Sequence, residues 1–142
     1  MPRTAQLQPI DDYKKFLRSL DLVGIALVDS QFRIDRRRYF DDESEQISVA
    51  LSCDVSSAKK NYFDVQAKML LRSANPGSKQ GSLALHALYT LHFHTEDAVN
   101  KRFADKFVES DVRLVVWPYF RELVTSMCGR AQVPPITLPL TK

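Results

Sequence analysis

The stretch Ile47-Ser48-Val49-Ala50-Leu51-Ser52-Cys53-Asp54-Val55-Ser56-Ser57 sets a larger apolar side chain at every second position up to Val55 and a small or polar one between. Successive side chains of an extended chain point to opposite sides, so a period of two predicts a strand with one buried and one solvated face. Ala58-Lys59-Lys60-Asn61 has the residue types of a turn. Beyond it Phe63, Val65, Ala67, Met69 and Leu71 alternate with Asp64, Gln66, Lys68, Leu70 and Arg72. The two stretches read as a hairpin.

Asn75-Pro76-Gly77-Ser78 predicts the next turn, because Pro fixes one dihedral angle and Gly accepts a positive one. Leu83 to Thr95 then reads as another strand, with Leu83, Leu85, Ala87, Tyr89, Leu91 and Phe93 on one face. His86, Leu88, Thr90, His92 and His94 take the other face, so all three histidines lie together. Before the hairpin, Leu22 to Arg36 changes parity: Val23, Ile25 and Leu27 share one face, Phe32 and Ile34 the opposite one. A strand with a bulge near Asp29 and Ser30 reconciles the two sets. Short turns between strands favour antiparallel pairing, since a parallel neighbour needs a crossover of about a dozen residues.

Helical spacing appears at both ends. Ile10, Tyr13, Phe16, Leu17 and Leu20 recur as one face of a short helix, with Asp11 and Asp12 in its first turn where negative charge suits the dipole. Val99, Phe103 and Phe107 mark a brief amphipathic turn. Val112-Arg113-Leu114-Val115-Val116-Trp117 leads to Pro118, which fits the first position of a helix because no needed donor is lost there. That helix is expected to run to Cys128, with Gly129 as a left-handed cap and Pro134-Pro135 barring continuation. Val133 to Leu140 reads as an extended strap packed on the domain. The predicted class is α+β: a four-stranded antiparallel sheet with a long C-terminal helix and short flanking helices.

At 142 residues, with 44% hydrophobic and 26% charged content, the chain is expected to form a single domain over residues 1–142. The longest uncharged stretch, Gly81 to Phe93, is interrupted by polar positions and followed by Glu96 and Asp97, so no membrane insertion is expected. Met1 to Asp12 lacks the basic start and apolar run of a secretory leader, which places the expected location in the cytoplasm. Cys53 and Cys128 are isolated and read as reduced structural thiols. The net charge of +3 is small, and Arg36, Arg37 and Arg38 are followed by Asp41, Asp42, Glu43 and Glu45, a locally neutralised loop. No nucleic-acid partner is expected on that charge.

The run Trp117-Pro118-Tyr119-Phe120-Arg121-Glu122, with Gly129-Arg130 and Pro134-Pro135-Ile136-Thr137-Leu138 after it, resembles the end of SecB-family chaperones. In that family the helix opens on a similar aromatic-Pro-Tyr-x-Arg-Glu block, and the four preceding strands agree with the family's antiparallel sheet packed under helices. The motif is concentrated in Val112 to Leu138. The resemblance implies an ATP-independent holdase, a dimer of dimers that wraps non-native polypeptide along apolar grooves, with no enzyme activity, nucleotide or cofactor. The implied partners are unfolded client polypeptides, further copies of the chain as homodimer or homotetramer, and an antitoxin or the SecA motor. Export-dedicated members are acidic and carry a C-terminal tail that docks on SecA. This chain is basic and ends at Lys142, which brings it nearer to SecB-like proteins that protect an antitoxin.

Holding an unfolded chain needs contiguous exposed apolar area. Flat, rigid rings bind varied apolar segments at low entropic cost, so Tyr39, Phe40, Trp117 and Phe120 are the candidate client contacts. The helix carries more apolar side chains than one buried face needs, and Tyr119, Leu123, Val124 and Met127 are candidates for an oligomer interface. Packing on its own sheet, subunit contact and client contact are all open to that stripe. A rival reading makes His86, His92 and His94, with Glu96, a metal site, since two histidines two apart on a strand can reach one ion. Others are an adaptor for one folded partner, and a nucleic-acid module using Lys59, Lys60, Lys68 and Arg72. No catalytic motif is present and no catalytic or metal residue is assigned.

Overall fold

In the computed structural model, which describes residues 9–41, 46–74, 81–134, 136 and 138, four antiparallel strands form one sheet. They are β1 (Asp21–Ile34), β2 (Gln46–Ala58), β3 (Tyr62–Ala74) and β4 (Leu83–His94), in the order β1-β4-β3-β2. β2 and β3 are the predicted hairpin, closed where the Lys59 amide donates to the Tyr62 carbonyl at 2.7 Å. The turn expected at Asn75-Pro76-Gly77-Ser78 lies outside the described residues, as do Asp42, Glu43 and Glu45.

The predicted parity holds in β3 and β4. Phe63, Val65, Ala67, Met69 and Leu71 are buried beside Leu83, Leu85, Ala87, Tyr89, Leu91 and Phe93, with Val65 opposite Leu91 and Met69 opposite Ala87. In β1 the register slips twice, between Leu22 and Gly24 and between Leu27 and Asp29. The second slip is the predicted bulge, placed just before Asp29; the first was not foreseen. Together they turn Leu22, Ile25, Leu27, Phe32 and Ile34 to the same side, opposite Phe93, Leu91, Tyr89, Leu85 and Leu83. Val23, expected to share the face of Ile25, is instead the extra residue of the first bulge.

Arg36–Asp41 is a short helix, α2, rather than the expected loop. Asp35 starts it by accepting from the Arg38 amide at 3.2 Å, a side-chain cap that supplies a partner to an otherwise orphaned donor. The N-terminal helix, α1 (Pro9–Ser19), lies close to the predicted span and buries Tyr13 and Phe16. These rings meet Phe103 and Phe63 at centroid distances of 5.6 to 6.3 Å.

After β4 the chain is helical almost without interruption. α3 (Lys101–Lys106) is capped by the Asn100 side chain, passes into a π-helical turn at Phe107–Asp111, and continues as α4 (Val112–Ala131). The long helix therefore begins six residues before the predicted start. The β-branched run before Pro118 has strand-like composition, yet Val112, Val116, Phe120, Val124 and Cys128 form a buried stripe at spacing four while Leu114, which would share their face in a strand, is exposed, as a helix requires. Pro118 inside the helix leaves the Leu114 carbonyl without its usual donor, and Leu114 is 58% exposed, where water can serve instead. The left-handed cap is Gln132 at φ 55°, not Gly129. Burial of Cys128 and Val133 on either side of the cap carries the helix past the glycine. Val133 and Leu138 are buried and Ile136 packs against the core, as expected for the strap. Among the described residues no helix is long and apolar enough to cross a membrane.

Candidate functional site

Four of the nine large apolar side chains left exposed among the described residues, Leu22, Val23, Leu27 and Val28, belong to β1. Among the described residues β1 is an edge strand, its outer row of amides and carbonyls facing no further strand. Val23 and Val28 are the two extra residues of its bulges and stand 63% and 59% exposed. Bulges usually spoil an edge for further pairing, but here they push apolar side chains into solvent.

A second apolar strip lies on α4. Tyr119 is exposed, and Leu123 and Met127, at spacing four after it, are half-buried. Leu27 pairs with Tyr89, whose hydroxyl donates to the Tyr119 carbonyl, so edge strand and helix strip flank one ring. Burial, and then the charge of Glu122, push the Tyr89 hydroxyl up to about 12.

The predicted client contacts separate into two groups. Trp117 is 2% exposed and Phe120 is fully buried, packed against each other at 5.9 Å between ring centroids, so neither offers surface to a client in this conformation. Within the aromatic-Pro-Tyr block these two rings fill the core, while Pro118 and Tyr119 stay exposed. Phe40 is exposed beneath the Arg36 guanidinium, 5.8 Å from its centroid. Tyr39 is half-buried, with its hydroxyl raised by burial and donating to the Pro134 carbonyl at 3.4 Å. Of the predicted interface residues, Val124 turns into the core, whereas Tyr119, Leu123 and Met127 share the exposed strip. In the sequence the mixed apolar faces of Val23 to Ile34 are open to subunit or client contact, but the pattern does not single out Leu22, Val23, Leu27 and Val28 as the exposed positions. The parity conflict in that stretch was the available signal.

The histidines occupy the sheet face away from the helices. His92 Nδ1 lies 2.6 Å from Asp64 Oδ1, whose other oxygen accepts from the Ser57 hydroxyl at 3.1 Å. His94 packs on Tyr62, 4.9 Å between centroids. His86 is six residues from His92 along the strand, roughly 20 Å. Among the described residues no three metal-ligating side chains come together. The Cys53 thiol is pushed up to about 11 by burial, against the opposing pull of Arg113, so it is held protonated at neutral pH.

No family model matches the sequence, and no curated protein matches it. Comparison with solved structures places the fold: it is that of a SecB-like chaperone. The Mycobacterium tuberculosis SecB-like chaperone Rv1957, solved in complex with a ChAD peptide from the Rv1956 HigA1 antitoxin, superposes at a TM-score of 0.71 over 92% of this chain and 97% of its own, with 18% identity. At that identity the likeness is one of fold. A protein of unknown function from Streptococcus agalactiae aligns at a TM-score of 0.47 over 84% of this chain and 96% of its own, with 8% identity.

Proposed function

We propose that this chain is the subunit of an ATP-independent holdase that keeps non-native polypeptide from aggregating, acting without catalysis and in the cytoplasm as a single-domain protein. The observation that carries the reading is the apolar edge of β1 beside the Tyr119, Leu123 and Met127 strip. Fully burying one Val or Leu side chain returns about 1.5–3 kcal/mol, so partial burial of several offsets the ordering of a short client segment. The open edge adds main-chain hydrogen bonds that do not depend on client sequence. The SecB-like fold and the antitoxin peptide held by the Mycobacterium tuberculosis neighbour support an antitoxin as the client, ahead of export with SecA as partner.

The same surface suits self-association as a homodimer or homotetramer, so subunit contact and client contact compete for it. The test is suppression of aggregation of a chemically unfolded, slowly refolding protein at subunit stoichiometry, at low and at high salt. Salt-resistant suppression is expected, since apolar contacts are not screened. Absence of suppression at both salt levels would sink general holding.

A further inference from the structure

No layer covers the face of the sheet turned away from the helices among the described residues. The register arranges its side chains in rows. Arg33 of β1, Ala84 of β4 and Arg72 of β3 form one; Gln31, His86 and Leu70, continued by Ala50 of β2, form the next; Asp29, Leu88 and Lys68 form the third. Adjacent strands lie about 4.8 Å apart, so Arg33 and Arg72 stand roughly 10 Å apart across a small residue. Arg33, Lys68 and Arg72 are exposed, and among the described residues none is ion-paired. Asp29 is the only acid in these rows. Beside the arginine row, Ala50, Leu70 and Leu88 line a depression of about 370 Å³ whose rim carries Lys68, His86 and Asp29.

We infer that this basic end of the uncovered sheet face docks an acidic, partly apolar, extended segment of a partner protein. Arg33, Arg72 and Lys68 take its carboxylates, and Leu70 and Leu88 take its apolar side chains. Arginine meets a carboxylate with two parallel hydrogen bonds, and an extended chain covers the distance between the arginines in about three residues. The apolar floor and the lack of any Phe, Tyr or Trp in these rows favour a peptide over single-stranded nucleic acid, whose successive bases need several rings to stack on. The site lies on the opposite side of the sheet from the Leu27–Tyr119 strip, so one subunit can engage both occupants.

Fluorescence anisotropy at low salt tests this with three labelled probes: a Glu-Leu alternating octapeptide, a Lys-Leu alternating octapeptide and a single-stranded DNA dodecamer. The Glu-Leu probe is expected to bind and the Lys-Leu probe to bind far less. The double variant Arg33→Glu/Arg72→Glu is expected to weaken Glu-Leu binding by at least about tenfold. Lys68→Glu, exposed on another row, is the second variant should the double one not fold, with an expected loss of about threefold. Equal binding of the two peptides, undiminished affinity in the folded variants, or tighter binding of DNA than of the Glu-Leu peptide would each overturn the assignment. Aggregation suppression, read on the same preparations, is expected to be unchanged, so failure of the holdase reading is distinguishable from failure of this one.

Discussion

The hydroxyl of Tyr89, midway along β4, donates to the main-chain carbonyl of Tyr119 on α4 at 3.3 Å. This contact joins the middle of the sheet to the helix at the point where the Tyr119 strip begins. With Leu27 opposite Tyr89 in the register, its ring lies between the edge strand and the helix.

The Tyr89 hydroxyl ionises at about 12 in the folded chain and near 10 when unfolded, because burial and Glu122 both oppose the phenolate. Between those values the folded state holds the proton that the unfolded state has released, so stability is complete below pH 10 and falls as pH rises through 12. Tyr13 and Tyr39 are shifted in the same direction. Melting temperature measured across that window should fall, and Tyr89→Phe should fall less steeply. Identical slopes in the two proteins would dissociate Tyr89 from the alkaline transition.

Trp117 and Tyr119 sit two residues apart in the aromatic block but belong to different environments. Trp117→Ala empties a buried site and should destabilise by about 3–5 kcal/mol in chemical denaturation. Tyr119→Ala removes an exposed ring and should cost less than about 1 kcal/mol while weakening client holding. If Tyr119→Ala holds clients as well as the parent chain does, the helix strip is not a client surface.

Gly81 approaches the β3 end so closely that an added Cβ would lie 1.8 Å from the Ser73 carbonyl oxygen. The obstacle is backbone, and the buried Ser73 hydroxyl nearby already accepts from the Leu83 amide at 3.0 Å. Gly81→Ala should therefore displace the start of β4 and lower stability by at least about 2 kcal/mol. A variant with unchanged unfolding free energy would show that the two segments can separate freely.

The sheet was legible because period-two patterning in Phe63 to Leu71 and Leu83 to Phe93 is set by burial of one face, a strong and local constraint. The start of α4 was not. Val112 to Trp117 is β-branched and apolar, and what makes it helical is tertiary: its Val112 and Val116 side chains must align with Phe120 and Val124. The end was misplaced for a related reason, since Gly129 has the propensity of a cap but burial beyond it outweighs that preference. Trp117 and Phe120 show the limit for sites, because an aromatic motif reads the same whether its rings line a groove or fill a core. The exposed edge of β1 emerges only when strand order is known, as no local pattern states which strand lies outermost.

The Cys53 thiol, raised to about 11 by burial, is protonated at neutral pH, and Cys128 is buried on α4. The thiolate is the reactive species, so native labelling by a disulfide reagent should be slow at pH 7 and accelerate as pH approaches 11. Cys128 should react only after denaturant is added. Rapid labelling of two thiols per chain at neutral pH would contradict both placements.

Val23 and Val28 offer the cleanest separation of stability from assembly. Each is the extra residue of a bulge, exposed by more than half, and touches little that a longer side chain would disturb. Lysine is the residue with which natural edge strands block further pairing, so Val23→Lys/Val28→Lys should leave the melting temperature within a few degrees of the parent. It should also lower the mass measured by light scattering and reduce client holding together. Loss of assembly with holding retained would assign β1 to subunit contact and leave clients to the α4 strip. Unchanged mass and unchanged holding would remove β1 from both roles, and with it the observation on which the holdase reading rests.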